Sequence, residues 1–404
     1  MRKVIKLVCM IIVFSMIFLS FAVSASADED EFVINNGVLI RYNGSAADVT
    51  IPQGVFEIAQ GAFENNADIE SLNLSDKVVF IGERAFFGCQ NLWLVNGTAN
   101  VAKIGAQAFE NTKWFDNITT DIKMINNVVV GCQSGLKELE IPDYALSVAP
   151  KAFYNNTKIT KVICGSDMQE IGNYAFYGCS NLSEAVLGER INYIGNNAFK
   201  GTKWFENNND EFVVINGILI KHSAGASNVT LPGNIRQIAG GTFYEDKELK
   251  SINLPDKLYY IGDNAFAYSA LKDINLSESS VTYIGKGAFE GCTGLTQIDL
   301  DKRINYIGEN AFEGCNNLTV NVDPESYAYV YVTENGLNHS LVGVLGDLDG
   351  DGAVTMMDVV TLQKYIAKLI PLTIEATRLA DIDQSAEITM QDVTYMQKRI
   401  AGLI

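Results

Sequence analysis

The sequence predicts a mainly β, mixed solenoid followed by a small all-α module. Three observations predict it. Ten phenylalanines recur every 23 residues, with two wider steps of 44. Three hairpin-like segments start 90 residues apart. Two acidic loops, 34 residues apart, close the chain.

The N-terminal segment reads as a leader. Arg2, Lys3 and Lys6 precede an apolar run from Leu7 to Val23, and Ala25-Ser26-Ala27 supplies a small-x-small cleavage site. This is the pattern of a secretory signal peptide over residues 1–27, with the mature chain starting at Asp28. After its removal 27 basic residues face 48 acidic ones. Such an acidic chain is a poor nucleic-acid partner and suits divalent cations. No second apolar run is long enough to span a bilayer.

The phenylalanines are Phe63, Phe86, Phe109, Phe153, Phe176, Phe199, Phe243, Phe266, Phe289 and Phe312, each preceded by Ala or, once, by Thr. A period of 20–29 residues is a solenoid signal. The unit reads I-G-x-x-A-F-x-G-C-x-x-L-x-x-I-x-L. Alternation in Ile252-x-Leu254, Ile274-x-Leu276 and Ile298-x-Leu300 predicts a short strand with one buried face. The Ile-Gly step is read as a turn, and the Ala-Phe segment as an irregular turn with its ring inward. One coil cannot bury its own apolar face, whereas stacked coils bury a continuous one.

The wider steps hold insertions that start at Glu31, Asp121 and Glu211. Each has two strand-like runs around Asn-Gly or Asn-Asn, the signature of a β-hairpin. These are expected to protrude. His222 lies on the third hairpin and is expected to be exposed.

Cys89, Cys179, Cys292 and Cys315 each follow a repeat phenylalanine by three residues, where other coils carry Asn66, Thr112, Thr202 or Ser269. A position shared by Cys, Thr, Ser and Asn asks for a small side chain. These cysteines are read as buried free thiols, with a Cys292–Cys315 bridge as the alternative.

The repeat phrase resembles the BspA-like class of bacterial leucine-rich repeats over about Glu31 to Val322. Members of that class are mostly surface or secreted binding proteins, so the resemblance implies binding without naming a ligand. After Cys315 the pattern decays into aromatic, strand-like residues read as a cap. The solenoid is assigned to residues 28–335, a linker to 336–345 and the module to 346–404.

"DLDGDGAVTMMD" places Asp347, Asp349, Asp351, Thr355 and Asp358 at positions 1, 3, 5, 9 and 12 of a calcium loop, with Gly352 at the sharp turn and the Ala353 carbonyl at position 7. Calcium takes six to eight oxygens, and alternating carboxylates supply them. The second copy offers Asp381, Asp383, Ser385, Glu387, Thr389 and Asp392. Ser385 replaces a carboxylate and Ala386 replaces the glycine, so the second of two calcium ions is expected to be held more weakly. Val359, Leu362, Ile366 and Leu369, matched by Val393, Met396, Ile400 and Leu403, are at helical spacing.

These loop-helix repeats lack an entering helix before Asp347 and end in Asp at position 12. They resemble a type I dockerin, with two EF-hand-like loop-helix repeats, from Gly346 to the end. The resemblance implies a cohesin domain of a scaffoldin as partner, in a cellulosome-type complex. It places the recognition surface on Met356, Met357, Gln363 and Lys364, and a symmetric copy on Met390, Gln391, Gln397 and Lys398.

The chain is therefore expected to be secreted and not an enzyme. Its two histidines, His222 and His339, have no metal-spaced partner, and no catalytic motif of the common hydrolase or nucleotide-binding types occurs. The expected function is binding or adhesion, with the solenoid taking a protein, cell-surface or polysaccharide ligand. The alternative is a dockerin-borne accessory with hydrolase activity on polysaccharides. Tyr260, Tyr283 and Tyr306 fall in successive coils and, with Trp93, form the candidate ligand face. Packing of the coils by an aromatic ladder is the competing reading of the tyrosines.

Overall fold

The structure is a computed structural model that describes residues 31–404 except 224, 324–325, 342–343, 384 and 386. The leader (residues 1–27) and Ala386 lie outside the described residues.

Two parallel ladders build the solenoid. The first contains the Leu-x-x-Ile-x-Leu strands, such as Ser71–Asn73, Lys161–Ile163 and Ser251–Asn253. Their central Leu72, Val162 and Ile252 are buried, as the alternation requires. The second ladder is made of two-residue strands on the step read as a turn. Phe80–Ile81, Tyr193–Ile194 and Tyr260–Ile261 are examples, and each pairs in parallel with its equivalent in a neighbouring coil.

The glycine after each of these isoleucines has a stacking role. A Cβ on Gly82 would lie 2.5 Å from the Gln60 nitrogen, and one on Gly262 would lie 2.5 Å from the Gly240 nitrogen. The main chains of adjacent coils therefore approach closely at this step. The first two-residue strand of each 90-residue module follows a hairpin strand instead of a coil, and there Ala59, Ala149 and Ala239 replace the glycine.

The hairpins are integral to the second ladder and do not protrude. Phe32–Asn35 pairs antiparallel with Val38–Tyr42, Ile122–Ile125 with Val128–Cys132, and Phe212–Ile215 with Ile218–His222. The second strand of each pair then continues in parallel into the ladder. The second strand of each hairpin buries apolar residues, Leu39 in the first, Val128 and Val129 in the second, and Ile218 and Leu219 in the third, and so extends the stack.

Inside the coils the phenylalanines form ring stacks. Phe63, Phe86 and Phe109 follow one another at 4.8 and 5.0 Å between centroids. Phe243, Phe266, Phe289 and Phe312 follow at 5.0, 5.3 and 5.4 Å. Burial of a whole aromatic side chain in each coil is a large part of the stabilisation. Trp114 and Trp204, on one-turn helices Lys113–Asp116 and Lys203–Glu206, tilt against the last ring of the first two stacks, at 4.8 and 4.9 Å. Thr112 and Thr202 cap those helices by accepting from the Phe115 and Phe205 N–H groups.

His222 is buried and belongs to the third stack, so the expectation of an exposed side chain is corrected. Its ring sits 5.5 Å from Phe212 and 5.0 Å from Phe243. It occupies the register of Tyr42, which stacks on Phe63 at 4.8 Å in the first module.

The cysteines at the small-residue position are free and buried. The thiols of Cys89, Cys179, Cys292 and Cys315 donate to the carbonyls of Phe63, Phe153, Phe266 and Phe289, at 3.0 to 3.1 Å. Each thiol thus joins its coil to the one before. Burial pushes the Cys89, Cys179 and Cys315 thiols up to about 12.

Two features of the C-terminal end differ from the reading of the aromatics as strand. Tyr327–Glu334 is a helix capped by Ser326, whose hydroxyl accepts from the Tyr329 N–H. Its Ala328 and Val332 cover the last coil, and this i, i+4 pair won over the apparent alternation. A strand over His339–Leu341, within the stretch read as linker, pairs in parallel with Thr319–Val322.

Candidate functional site

The C-terminal module has its own core, formed by Leu348, Val359, Leu362, Leu379, Ile382, Val393 and Met396 among others. Of the apolar residues at helical spacing, Leu369, Ile400 and Leu403 are exposed, whereas Val359, Leu362, Val393 and Met396 are buried in this core and Ile366 packs against it. Helices Met356–Ile366 and Met390–Ile400 pack on each other through these residues. A third helix, Ile374–Leu379, precedes the second loop. Sequence reasoning missed it, because six residues are too few to show a periodicity.

Each loop runs directly into its helix through a capping box. Thr355 accepts from the Met357 N–H, and Asp358 accepts from the Thr355 N–H at 2.8 Å. Thr389 and Asp392 repeat this arrangement. The position-12 carboxylates also reach back across their loops. Asp358 accepts from the Leu348 N–H at 2.7 Å and Asp392 from the Ile382 N–H at 2.7 Å. One buried carboxylate therefore ties loop entry to helix start in both copies. Burial pushes the Asp392 carboxyl up, but the N–H groups of Thr389, Asp383 and Ile382 outweigh it and hold the group below the usual carboxylate range.

Within loop one, Asp347 accepts from the Gly350 N–H at 2.7 Å and the Gly352 N–H at 2.9 Å. Gly352 has a φ of 87°, the conformation that the sharp turn requires and that glycine adopts without strain. Carboxylate oxygens of Asp347, Asp349 and Asp351 lie within 4.8 Å of one another, as do those of Asp381, Asp383 and Asp392. Converging hard oxygens suit calcium. Desolvation, followed by the neighbouring Asp358, Asp351 and Asp347 carboxylates, raises the Asp349 carboxyl above its ordinary value, which a bound cation would reverse. The Ala353 N–H donates to Asp351. In loop two the Ser385 hydroxyl donates to the Glu387 carbonyl at 3.2 Å, so two expected ligands bond to each other there.

Met356, Met357 and Met390 are exposed, Met357 at 67%. Gln363, Lys364, Gln391, Gln397 and Lys398 are also exposed. The methionines do not pack the two helices together; Met396 does that.

In the solenoid, Tyr260, Tyr283 and Tyr306 stack at 4.6 and 4.5 Å, and Tyr193 meets Tyr260 edge-on at 6.2 Å across a module boundary. Burial pushes the Tyr193 phenol up to about 12. Trp93, 53% exposed, lies beside Leu94–Asn96 of the other ladder in the first module. The structure therefore gathers the tyrosines and leaves Trp93 apart from them.

A repeat solenoid joined to a duplicated loop-helix module defines a modular binding protein. Residues 42–128, 117–211 and 219–332 match the BspA type Leucine rich repeat region in six copies, and residues 345–401 match the Dockerin type I domain. The chain belongs to the BspA type leucine-rich-repeat family and carries a type I dockerin at its C-terminus. Both families are non-catalytic. Type I dockerins bind calcium and imply a cohesin partner.

Among solved structures, a leucine rich cell surface protein from Faecalibacterium prausnitzii is 22% identical, with 83% of this chain and 99% of that chain covered and a TM-score of 0.33. A leucine-rich repeat protein from Bacteroides ovatus is 18% identical, with 81% and 100% covered and a TM-score of 0.27. The pneumococcal vaccine antigen PcpA is 17% identical, with 76% and 92% covered and a TM-score of 0.28. No curated protein matches. The family assignment rests on the repeats. Among the described residues, no helix is long and apolar enough to cross a membrane.

Proposed function

We propose that this is a secreted, non-catalytic binding protein, plugged into a scaffoldin through its dockerin while the solenoid holds a protein, cell-surface or polysaccharide ligand. The observation that carries the reading is the paired loop-helix unit. Its two copies bury the same positions, Val359 and Leu362 in one and Val393 and Met396 in the other. They expose the same positions too, with Met356, Gln363 and Lys364 answered by Met390, Gln397 and Lys398. Exposed methionines beside polar and charged groups suit a small apolar contact that a partner covers.

Two calcium ions hold the loops, the first through Asp347, Asp349, Asp351, Thr355, Asp358 and the Ala353 carbonyl. The second ion is held more weakly, since Ser385 supplies no charge. The ligand surface of the solenoid comprises the Tyr260–Tyr283–Tyr306 column in the third module, and Trp93, on the other ladder of the first module, is a separate contact. Calorimetric titration of the chain with purified cohesins, in calcium and again in excess chelator, tests the reading. Binding to a cohesin that chelator abolishes supports it. Failure to bind any type I cohesin in calcium, with the dockerin folded, refutes it.

A further inference from the structure

The three hairpins occupy one register, and the residue that faces the phenylalanine stack differs among them. Tyr42 fills the position in the first module and His222 in the third, each stacked on the next phenylalanine. Cys132 stands there in the second. The residue across the hairpin changes with it. Phe32 and Phe212 flank the first and third positions, whereas Ile122 pairs with Cys132. The second stack therefore starts at Phe153 with no ring before it.

Space remains where the ring is missing. A cavity of about 320 Å³ opens beside Cys132 at the boundary between the first and second modules. Its equivalent at the next boundary, beside His222, measures about 180 Å³. The larger cavity reaches Phe153 and Asn156, and the smaller one does not reach their equivalents, Phe243 and Asp246. The His222 ring covers both of those, lying 5.0 Å from Phe243 with its Nδ1 3.5 Å from an Asp246 oxygen. Gly131 in the wall, in place of Lys221, adds to the opening. The larger cavity thus lies at a place where the fold accommodates a ring twice elsewhere.

We propose that the cavity beside Cys132 binds a planar aromatic ring, which completes the stack on Phe153. Glu110 in the wall accepts a hydrogen bond from Gln107 at 2.6 Å and has further acceptor capacity, so a ring with an O–H or N–H donor, a phenol or an indole, is favoured. The ring belongs to a free small molecule or to the side chain of a partner polypeptide. The site is separate from the dockerin, and its test uses no cohesin.

Cys132 reports on the site. It is half-buried, whereas the other five described cysteines are buried. In the chain from Asp28, alkylation under native conditions labels Cys132 first. Phenol at ten times its dissociation constant slows that labelling about tenfold, while cyclohexanol at the same concentration does not. Cys132→Tyr supplies the ring that Tyr42 supplies in the first module and removes phenol binding measured by calorimetry. Cys132→His, for which His222 is the precedent within the same chain, does the same should the tyrosine variant fail to fold. N-acetyltyrosinamide binding at least as tightly as phenol assigns the ring to a polypeptide, and phenol binding alone assigns it to a small molecule. Labelling of Cys132 that neither compound slows, or phenol binding that persists in the filled variants, overturns the proposal.

Discussion

His222 and Asp246 face each other inside the third module, with the imidazole Nδ1 3.5 Å from a carboxylate oxygen and both side chains almost fully buried. Among the described residues, neither ring nitrogen has a hydrogen-bond partner. Asp246 spends its Oδ1 on the Glu248 and Leu249 N–H groups. Desolvation lowers the His222 pKa below 6.5, and the Asp246 and Glu211 carboxylates only partly oppose it.

The sign of the resulting pH dependence is determined by that direction. Below pH 6.5 the unfolded chain takes up a proton that the folded chain still refuses, so stability falls as pH drops from 6.5 towards the folded value. Above 6.5 this contribution is fully present. His222→Tyr, which places a phenol where Tyr42 has one, is expected to flatten the Tm profile between pH 7 and 5 relative to the parent chain. Superimposable pH profiles for the two proteins would refute this.

Gly262→Ala is expected to destabilise the solenoid by about 1–3 kcal/mol, because the new methyl meets the main chain of the previous coil and cannot move aside. Ala239→Gly, at the first strand of the same ladder, should cost under about 1 kcal/mol. Urea unfolding followed by circular dichroism measures both. Equal effects would show that the glycines serve a turn and not the stacking.

Chelation of calcium should melt residues 346–404 and leave the solenoid intact, since the dockerin core shares no residue with the three solenoid clusters. Without cations the carboxylates of each loop repel one another. The expected outcome is loss of helical ellipticity with the β signal unchanged. Calorimetry should show two calcium sites of unequal affinity, with Asp347→Ala removing the tighter one.

Substituting Met356, Met357 and Lys364 together should weaken cohesin binding by less than about 1 kcal/mol, because the module can turn over and present Met390, Gln397 and Lys398. Substituting both sets should remove detectable binding. Surface plasmon resonance against one cohesin distinguishes these. Loss of binding from the first set alone would show that the difference between Met357 and Gln391 selects a single orientation.

Much of this was legible in the chain. The 23-residue phenylalanine spacing sets the coil, since each ring must fall on the same inner face. The 12-residue acidic loops define the cation sites because ligand geometry allows few spacings. Strands of two residues, such as Tyr260–Ile261, were hidden: alternation needs more than one repeat to be seen. His222 was also misplaced. Aligning the modules at 90 residues would have set it beside Tyr42 and Cys132, in the register that faces the phenylalanine stack. The helix over Tyr327–Glu334 escaped because Tyr and Val favour strands locally, and only the need to cover the last coil decides otherwise.

The ladders of paired main chain do not run from end to end. The sheet that begins at Phe32–Asn35 stops at Lys103–Ile104, and the next begins afresh at Ile122–Ile125 and stops at Tyr193–Ile194. Buried apolar side chains run across both gaps, and one main-chain bond, from the Asn197 N–H to the Gly240 carbonyl, crosses the second. Lys151 pairs with Glu83 at 3.2 Å across the first, and Asn196 donates to Asp263 at 2.8 Å across the second. On the proposed function, a chain tethered through its dockerin while its solenoid holds a ligand would bear tension. Under load the modules should part first at these seams, where apolar contacts and not paired strands hold them, and single-molecule pulling that extends the solenoid in module-sized steps checks this.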